Sequence, residues 1–211
     1  MSDLRLQIAM ALASSLLWAS GCAAREAERP ATDRPEAASK AESPDRNVTM
    51  KLTSNAFQNN AKINARYTVE GEDDSPPLAW TEVPAGTKTL ALICDDPDAP
   101  SPKRPAPQPW VHWVIFNIPA GLSELPAGIS RELAPAEVPG ARQGINSWPS
   151  ENVGYRGPSP PPGSGRHRYV FKLYALDTEL DLKAGATKQR LVEAMAGHIL
   201  AEVQLTGVYQ R

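Results

Sequence analysis

Proline constrains this chain more than any other residue type. There are 21 prolines, about 10% of the sequence and roughly twice average usage. Each fixes φ at about −65° and removes a backbone N–H, which bars it from helix interiors and from the middle of sheets. That excess argues against a mostly helical fold and for strands joined by stiff, shaped loops. Ten of the 21 gather in two stretches, Asp95-Asp-Pro-Asp-Ala-Pro-Ser-Pro-Lys-Arg-Pro-Ala-Pro-Gln-Pro109 and Gly154-Tyr-Arg-Gly-Pro-Ser-Pro-Pro-Pro-Gly-Ser-Gly-Arg166. Loops this rich in proline have little conformational freedom to lose on folding and hold one shape.

Between the prolines, short apolar runs read as strands. Thr89–Cys94 is almost continuously apolar, as a strand buried on both faces must be. Trp110–Ile118 is rich in β-branched and aromatic residues, with His112, Val114, Phe116 and Ile118 expected on one face. Arg168–Ala175 alternates and places Tyr169, Phe171 and Leu173 together; Glu202–Tyr209 alternates as a last strand. One helix is expected, N-capped by Thr187, with Leu191, Met195 and Ile199 at four-residue spacing and His198 in its last turn as a structural residue. The expected class is mainly β: an antiparallel β-sandwich with one or two peripheral helices and no internal repeat.

The first 21 residues read as an address. Arg5 precedes an apolar run from Leu6 to Trp18, followed by Ala19-Ser20-Gly21-Cys22. A basic start, an apolar stretch too short to span a bilayer and small residues before a cleavage point make a secretory signal. Cys22 after Ser-Gly resembles the bacterial lipoprotein box, in which that cysteine is lipidated; Ala19 departs from the usual leucine. Ordinary cleavage nearby, for example after Ala24, would instead discard Cys22. Residues 22–47 form a polar tether: from 23 to 47, eleven of 25 residues are charged, three are proline, and none is aromatic, Leu, Ile or Val. Such a segment cannot bury enough apolar surface to offset its ordering entropy. The folded domain is expected over residues 48–211, on the exported, periplasmic side of a bacterial membrane and lipid-anchored if Cys22 is modified.

Charge and cysteine content narrow the function. The formal charge is −2 with acids and bases mixed, so no basic field exists to hold nucleic acid. Two cysteines cannot make a disulfide scaffold, and Cys94, inside an apolar run, reads as a buried small hydrophobe. The histidines show no compact HxH or HxxxH spacing and there is no G-x-S-x-G elbow. No metal, no cofactor and no catalytic residue are assigned, and the chain is not expected to be an enzyme.

Chemistry concentrates beside the two proline loops. Two of the three histidines, His112 and His167, flank them, together with Asp96, Asp98 and Tyr169. Read alone, the aspartates are turn carboxylates next to proline and His112 is a satisfied core histidine. Arg166 and Arg168 either draw anions toward His167 or are simply solvated. Trp80, Trp113 and Trp148 read as core or loop anchors.

Several ordered motifs then add a more specific reading. Asp96-Pro-Asp-Ala-Pro100, Trp110-x-His112, Gly154-Tyr-x-Gly-Pro-x-Pro-Pro and His167-Arg-Tyr169 resemble the phosphatidylethanolamine-binding protein family, also called Raf kinase inhibitor-like proteins. Its bacterial branch is similar further, in Ser75-Pro-Pro-Leu-x-Trp80, Gly144-Ile-Asn-Ser-Trp148, Gly185-Ala-Thr and Ala194-Met-x-Gly-His-Ile-Leu200, so the resemblance runs from about Met50 to the end. It implies a β-sandwich with a small anion pocket. Asp96, His112 and His167 would form its polar centre; Trp110, Tyr169, Pro100 and Pro161 would shape its walls. Asp96 would either be protonated or use its lone pairs on a histidine N–H. Ser159 stands where bacterial relatives often carry cysteine.

The function this implies is non-enzymatic binding of a small anion, a phosphate or a phospholipid head group, or of an acidic or phosphorylated group on a protein partner. The alternative is an inhibitor of a protease or other enzyme, acting through the proline-rich loops. Kinase inhibition is discounted for an exported chain. Bacterial relatives often pair as homodimers, which nothing in this sequence decides.

Overall fold

The computed structural model describes residues 49–150 and 152–211. The expected signal at 1–21, Cys22 and the tether at 22–47 lie outside the described residues. What is described is mainly β, with one α-helix among the described residues.

Six strands form the larger sheet, in the order β2 (Ala61–Lys62), β9 (Ile199–Tyr209), β8 (His167–Leu176), β4 (Thr89–Asp96), β5 (Trp110–Pro119) and β7 (Arg142–Gln143). The smaller sheet has β1 (Lys51–Thr53), β3 (Leu78–Thr81) and β6 (Glu124–Leu125), with β3 in the middle. Pairing is antiparallel except for β2 on β9, which is parallel, so the expectation of a purely antiparallel chain is corrected there.

β4 explains its own composition. It lies between β8 and β5, and all eight of its residues are buried. Leu90, Leu92 and Cys94 share a core with Phe171 and Leu173 of β8 and with Leu52, Leu78, Trp80 and Leu125 of the smaller sheet. Ala91 and Ile93 point the other way, into a second core with Val114, Phe116, Leu180, Leu191 and Met195. With apolar partners on both faces, period-two alternation would place a polar side chain in one core or the other, so the run is continuous. Cys94 is buried as expected, and burial pushes its thiol pKa up.

Two sequence expectations need correction. Ile118 does not share a face with Val114 and Phe116. Leu90 pairs with Ile118 but Leu92 with Ile115, so β5 carries an extra residue there, and Asn117 takes φ +54°. That bulge turns Ile118 into the first core while Phe116 stays in the second. The helix α1 (Lys188–Met195) is capped by Thr187 Oγ1, which accepts from Arg190 N, as expected. It ends at Met195, however, because Gly197 at φ +83° reverses the chain. Ile199 therefore opens β9, and His198 sits in the intervening turn with Nδ1 2.8 Å from Asp177 Oδ1.

Candidate functional site

The site forms where three adjacent strands meet at one end of the larger sheet. β4 finishes at Asp96, β5 begins at Trp110 opposite it, and β8 begins at His167 on the other side. Asp96 is fixed on both oxygens: Oδ1 accepts from the Asp98 N–H at 2.8 Å, an aspartate turn, and Oδ2 lies 2.7 Å from His167 Nδ1. Asp98 then clamps Arg168, accepting from its guanidinium at 2.8 and 2.9 Å and from its backbone N–H at 2.9 Å. That contact, more than any other, lowers the Asp98 pKa from its ordinary value.

A second bulge in β5 shapes the other wall. Cys94 pairs with Trp113 but Asp95 with Val111, so His112 is the extra residue. Its ring ends edge-on to Tyr169 and Trp148, at 5.0 and 4.9 Å between centroids. Bulges next to functional sites commonly re-aim one side chain in this way. His112 Nδ1 lies 2.6 Å from the Arg156 carbonyl oxygen. A carbonyl can only accept, so Nδ1 carries the proton and Nε2 is left with a bare lone pair. Burial, opposed by the Arg156 contact, pushes the His112 pKa down to about 4. The His112 ring is therefore neutral near pH 7 and adds no positive charge.

His167 is fully buried. Its Nδ1–H donates to Asp96, and its Nε2 faces the Ser164 hydroxyl at 3.0 Å. Asp96 thus orients a histidine, as one of its two expected roles required; burial raises its pKa and the His167 contact opposes the rise. The order Ser164–His167–Asp96 is that of a hydrolytic triad. Ser164, however, is not among the residues lining the cavity. Tyr169 is buried, and its hydroxyl has no hydrogen-bond partner. Burial pushes its pKa far up, so the phenol keeps its proton.

All seven residues expected at the site, Asp96, Pro100, Trp110, His112, Pro161, His167 and Tyr169, line one cavity of about 400 Å³. Most of its remaining wall comes from the proline loops: Ala99, Ala106, Gln108, Ser159 and Pro160. Trp148 also lines it and was expected only as an anchor. Its signal was the Gly144–Trp148 motif, which carries no chemistry of its own until folding sets it against His112. No lysine or arginine is among the lining residues: Arg168 is committed to Asp98, and Arg166 is exposed away from the cavity. Among the described residues no group of three or more His, Cys, Asp or Glu could hold a metal ion.

The sequence profile of the phosphatidylethanolamine-binding protein family matches residues 53–210. The chain belongs to that family. The UPF0098 protein of Methanothermobacter thermautotrophicus is 51% identical over 163 residues, covering 77% of this chain and 99% of the relative. The UPF0098 protein of Aquifex aeolicus is 42% identical over 163 residues, 77% of this chain and 89% of the relative. Among solved structures, a phosphatidylethanolamine-binding protein homolog from Chlamydia trachomatis superposes with a TM-score of 0.67 at 38% identity, covering 78% of this chain and 99% of that one. An E. coli member of the mammalian family superposes with a TM-score of 0.67 at 30% identity, covering 77% and 98%. The cavity residues, from Asp96 to Tyr169, all fall inside the stretch that defines this family member.

Proposed function

We propose that this protein is a non-enzymatic binding protein whose ligand is a small anion or phosphoryl head group held in the Asp96–His112–His167–Tyr169 cavity. One observation carries the reading: the Tyr169 hydroxyl is a buried donor with no partner, in the wall of a cavity of about 400 Å³. An orphaned buried hydroxyl costs roughly 1–3 kcal/mol, a cost that a ligand oxygen would remove. The inhibitor alternative needs the proline loops as a protruding surface. Pro100, Pro160 and Pro161 are instead cavity walls, which favours binding. The reading includes the two sheets facing each other as layers of a sandwich, supported by their shared core.

It also includes export and a lipid anchor at Cys22 behind a signal at 1–21, with residues 22–47 as the tether. The relatives are matched almost end to end by about three-quarters of this chain, as expected if the N-terminal segment is an address added to a binding domain.

Thermal unfolding of the purified protein with phosphate, phosphoethanolamine, acetate and chloride tests the site. At roughly 100 times Kd, linkage stabilises by about 2.7 kcal/mol, a rise in Tm of roughly 5–10 °C for a domain of this size. Tyr169→Phe should fold with equal or greater stability and lose most of that rise. A rise of the same size in the variant, or none with any oxyanion, would reject the cavity as the site. Light scattering on the same samples reads whether two copies pair.

A further inference from the structure

His112 owes its hydrogen-bonding role to a backbone carbonyl, and that carbonyl is held by an ionic clasp outside the cavity. We infer that Asp73 and Arg131, neither of which lines the cavity, are positioning residues for His112: together they grip residues 155–157 and so fix which ring nitrogen carries the proton.

A neutral imidazole can carry its proton on either nitrogen, and the hydrogen bond made by one nitrogen decides the tautomer. In His112 the deciding contact is Nδ1 with the Arg156 carbonyl at 2.6 Å. The Arg156 N–H returns it, donating to the His112 carbonyl at 3.0 Å. Residue 156 belongs to no strand, so its carbonyl must be placed by contacts from elsewhere.

Those contacts come from Asp73 and Arg131. Asp73 Oδ1 accepts from the Gly157 N–H at 2.7 Å, while Oδ2 lies 3.1 Å from Arg156 Nε and 2.6 Å from Arg131 Nη2. Arg131 closes the clasp: Nε donates to the Tyr155 carbonyl at 2.8 Å and Nη2 to the Asp73 carbonyl at 2.7 Å. Each of residues 155, 156 and 157 is thus held by one member of the pair. The side chains of Asp73 and Arg156 are only 15% and 24% exposed, so their attraction is screened less than that of a surface pair.

Both members are themselves fixed. Asp73 takes φ +59°, a left-handed conformation that aspartate adopts more readily than most side chains. The buried Gln143 amide donates to the carbonyls of Ser130 and Glu132, at 2.7 and 2.8 Å, on either side of Arg131. The gripped loop is also seated closely, since a Cβ on Gly157 would lie 2.4 Å from the Tyr67 carbonyl oxygen. Arg66, on the same turn as Asp73, pairs instead with Glu72 and Asp74 at 2.8 and 3.1 Å, which makes it a control.

Long-range proton–nitrogen NMR of the full chain tests this, because it separates a protonated ring nitrogen from a bare one. Near neutral pH, wild-type His112 should show Nδ1 protonated and Nε2 bare. Asp73→Asn keeps an acceptor for Gly157 but removes the charge that gathers the two guanidiniums. Arg131→Lys keeps the charge but loses the fork that reaches Tyr155 and Asp73 together. Both variants should fold and show His112 nitrogens of mixed character, whereas Arg66→Gln should keep the wild-type pattern. If one of the two unfolds, the other decides. An unchanged His112 in the folded variants, an equal change in Arg66→Gln, or unfolding of both overturns the inference. Phosphate titration of the same samples links the clasp to ligand and rests on the binding reading above. Apparent Kd scales inversely with the competent fraction, so equal tautomer populations should raise it roughly twofold. A constant Kd while the tautomers mix would overturn that link. No phosphate binding by the wild type would reject the binding reading and leave the NMR pattern to decide the clasp.

Discussion

His112 is held neutral by where it sits. Its folded pKa is about 4 against an ordinary 6.5, chiefly because burial disfavours the charged ring. A histidine depressed in the folded state takes up its proton more readily unfolded. Its contribution to stability is therefore complete above the unfolded value and is lost as pH falls from about 6.5 toward 4, amounting to about 3 kcal/mol. Asp95 and Asp96, both raised by burial, act in the opposite sense, because the folded state holds their protons more tightly. The wild type minus His112→Asn isolates the histidine, since an asparagine amide can still donate to the Arg156 carbonyl. Urea unfolding at pH 6.5 and 4.5 should show the wild type losing more stability than the variant. Equal losses would mean that His112 is charged or solvated in the folded protein.

At the scale of the element, β5 does the most to build the site, and it does so by irregularity. Two bulges in ten residues let it feed both cores and still turn His112 toward Tyr169. The bulge at Asn117 is secured by its side chain, whose Nδ2 donates to the Leu180 carbonyl and whose Oδ1 accepts from the Leu180 N–H, both at 2.9 Å. Asn117→Ala would leave those buried backbone groups unpaired and should cost about 3 kcal/mol in urea unfolding; a loss below about 1 kcal/mol would mean the bulge holds without its clamp. The helix α1 covers the opposite face with Leu191 and Met195 and is pinned by Lys188 Nζ, 2.5 Å from Asp95 Oδ2. Its N-cap and buried pair were readable from Thr187 and the four-residue spacing. Its end was not, because Ile199 continues the helical period and only the positive φ of Gly197 breaks it.

For the whole molecule, the proposed anchor gives a direct test. Cys22→Ser should move the protein from the membrane fraction to the soluble exported fraction of bacteria expressing it. It should leave thermal stability unchanged, since the matched family domain begins at residue 53. Retention in the membrane would argue against lipidation at Cys22.

The linear chain by itself determined that this would be a mainly β domain with rigid proline loops and which stretches would be strands. Those properties are local: proline stiffness and apolar runs are set by neighbours along the chain, whereas Asp96, His112, His167 and Tyr169, far apart in sequence, were grouped only through the family resemblance of their motifs. Only the tertiary structure decided what covers each face of β4 and that Ile118 and His112 leave their expected alternation. It also turned Trp148 from an anchor into a wall, tied Arg168 to Asp98 and made His112 a neutral acceptor. Each of these depends on register against a partner strand or on burial by residues far away in sequence. Register, burial and hence protonation exist only once the strands have paired.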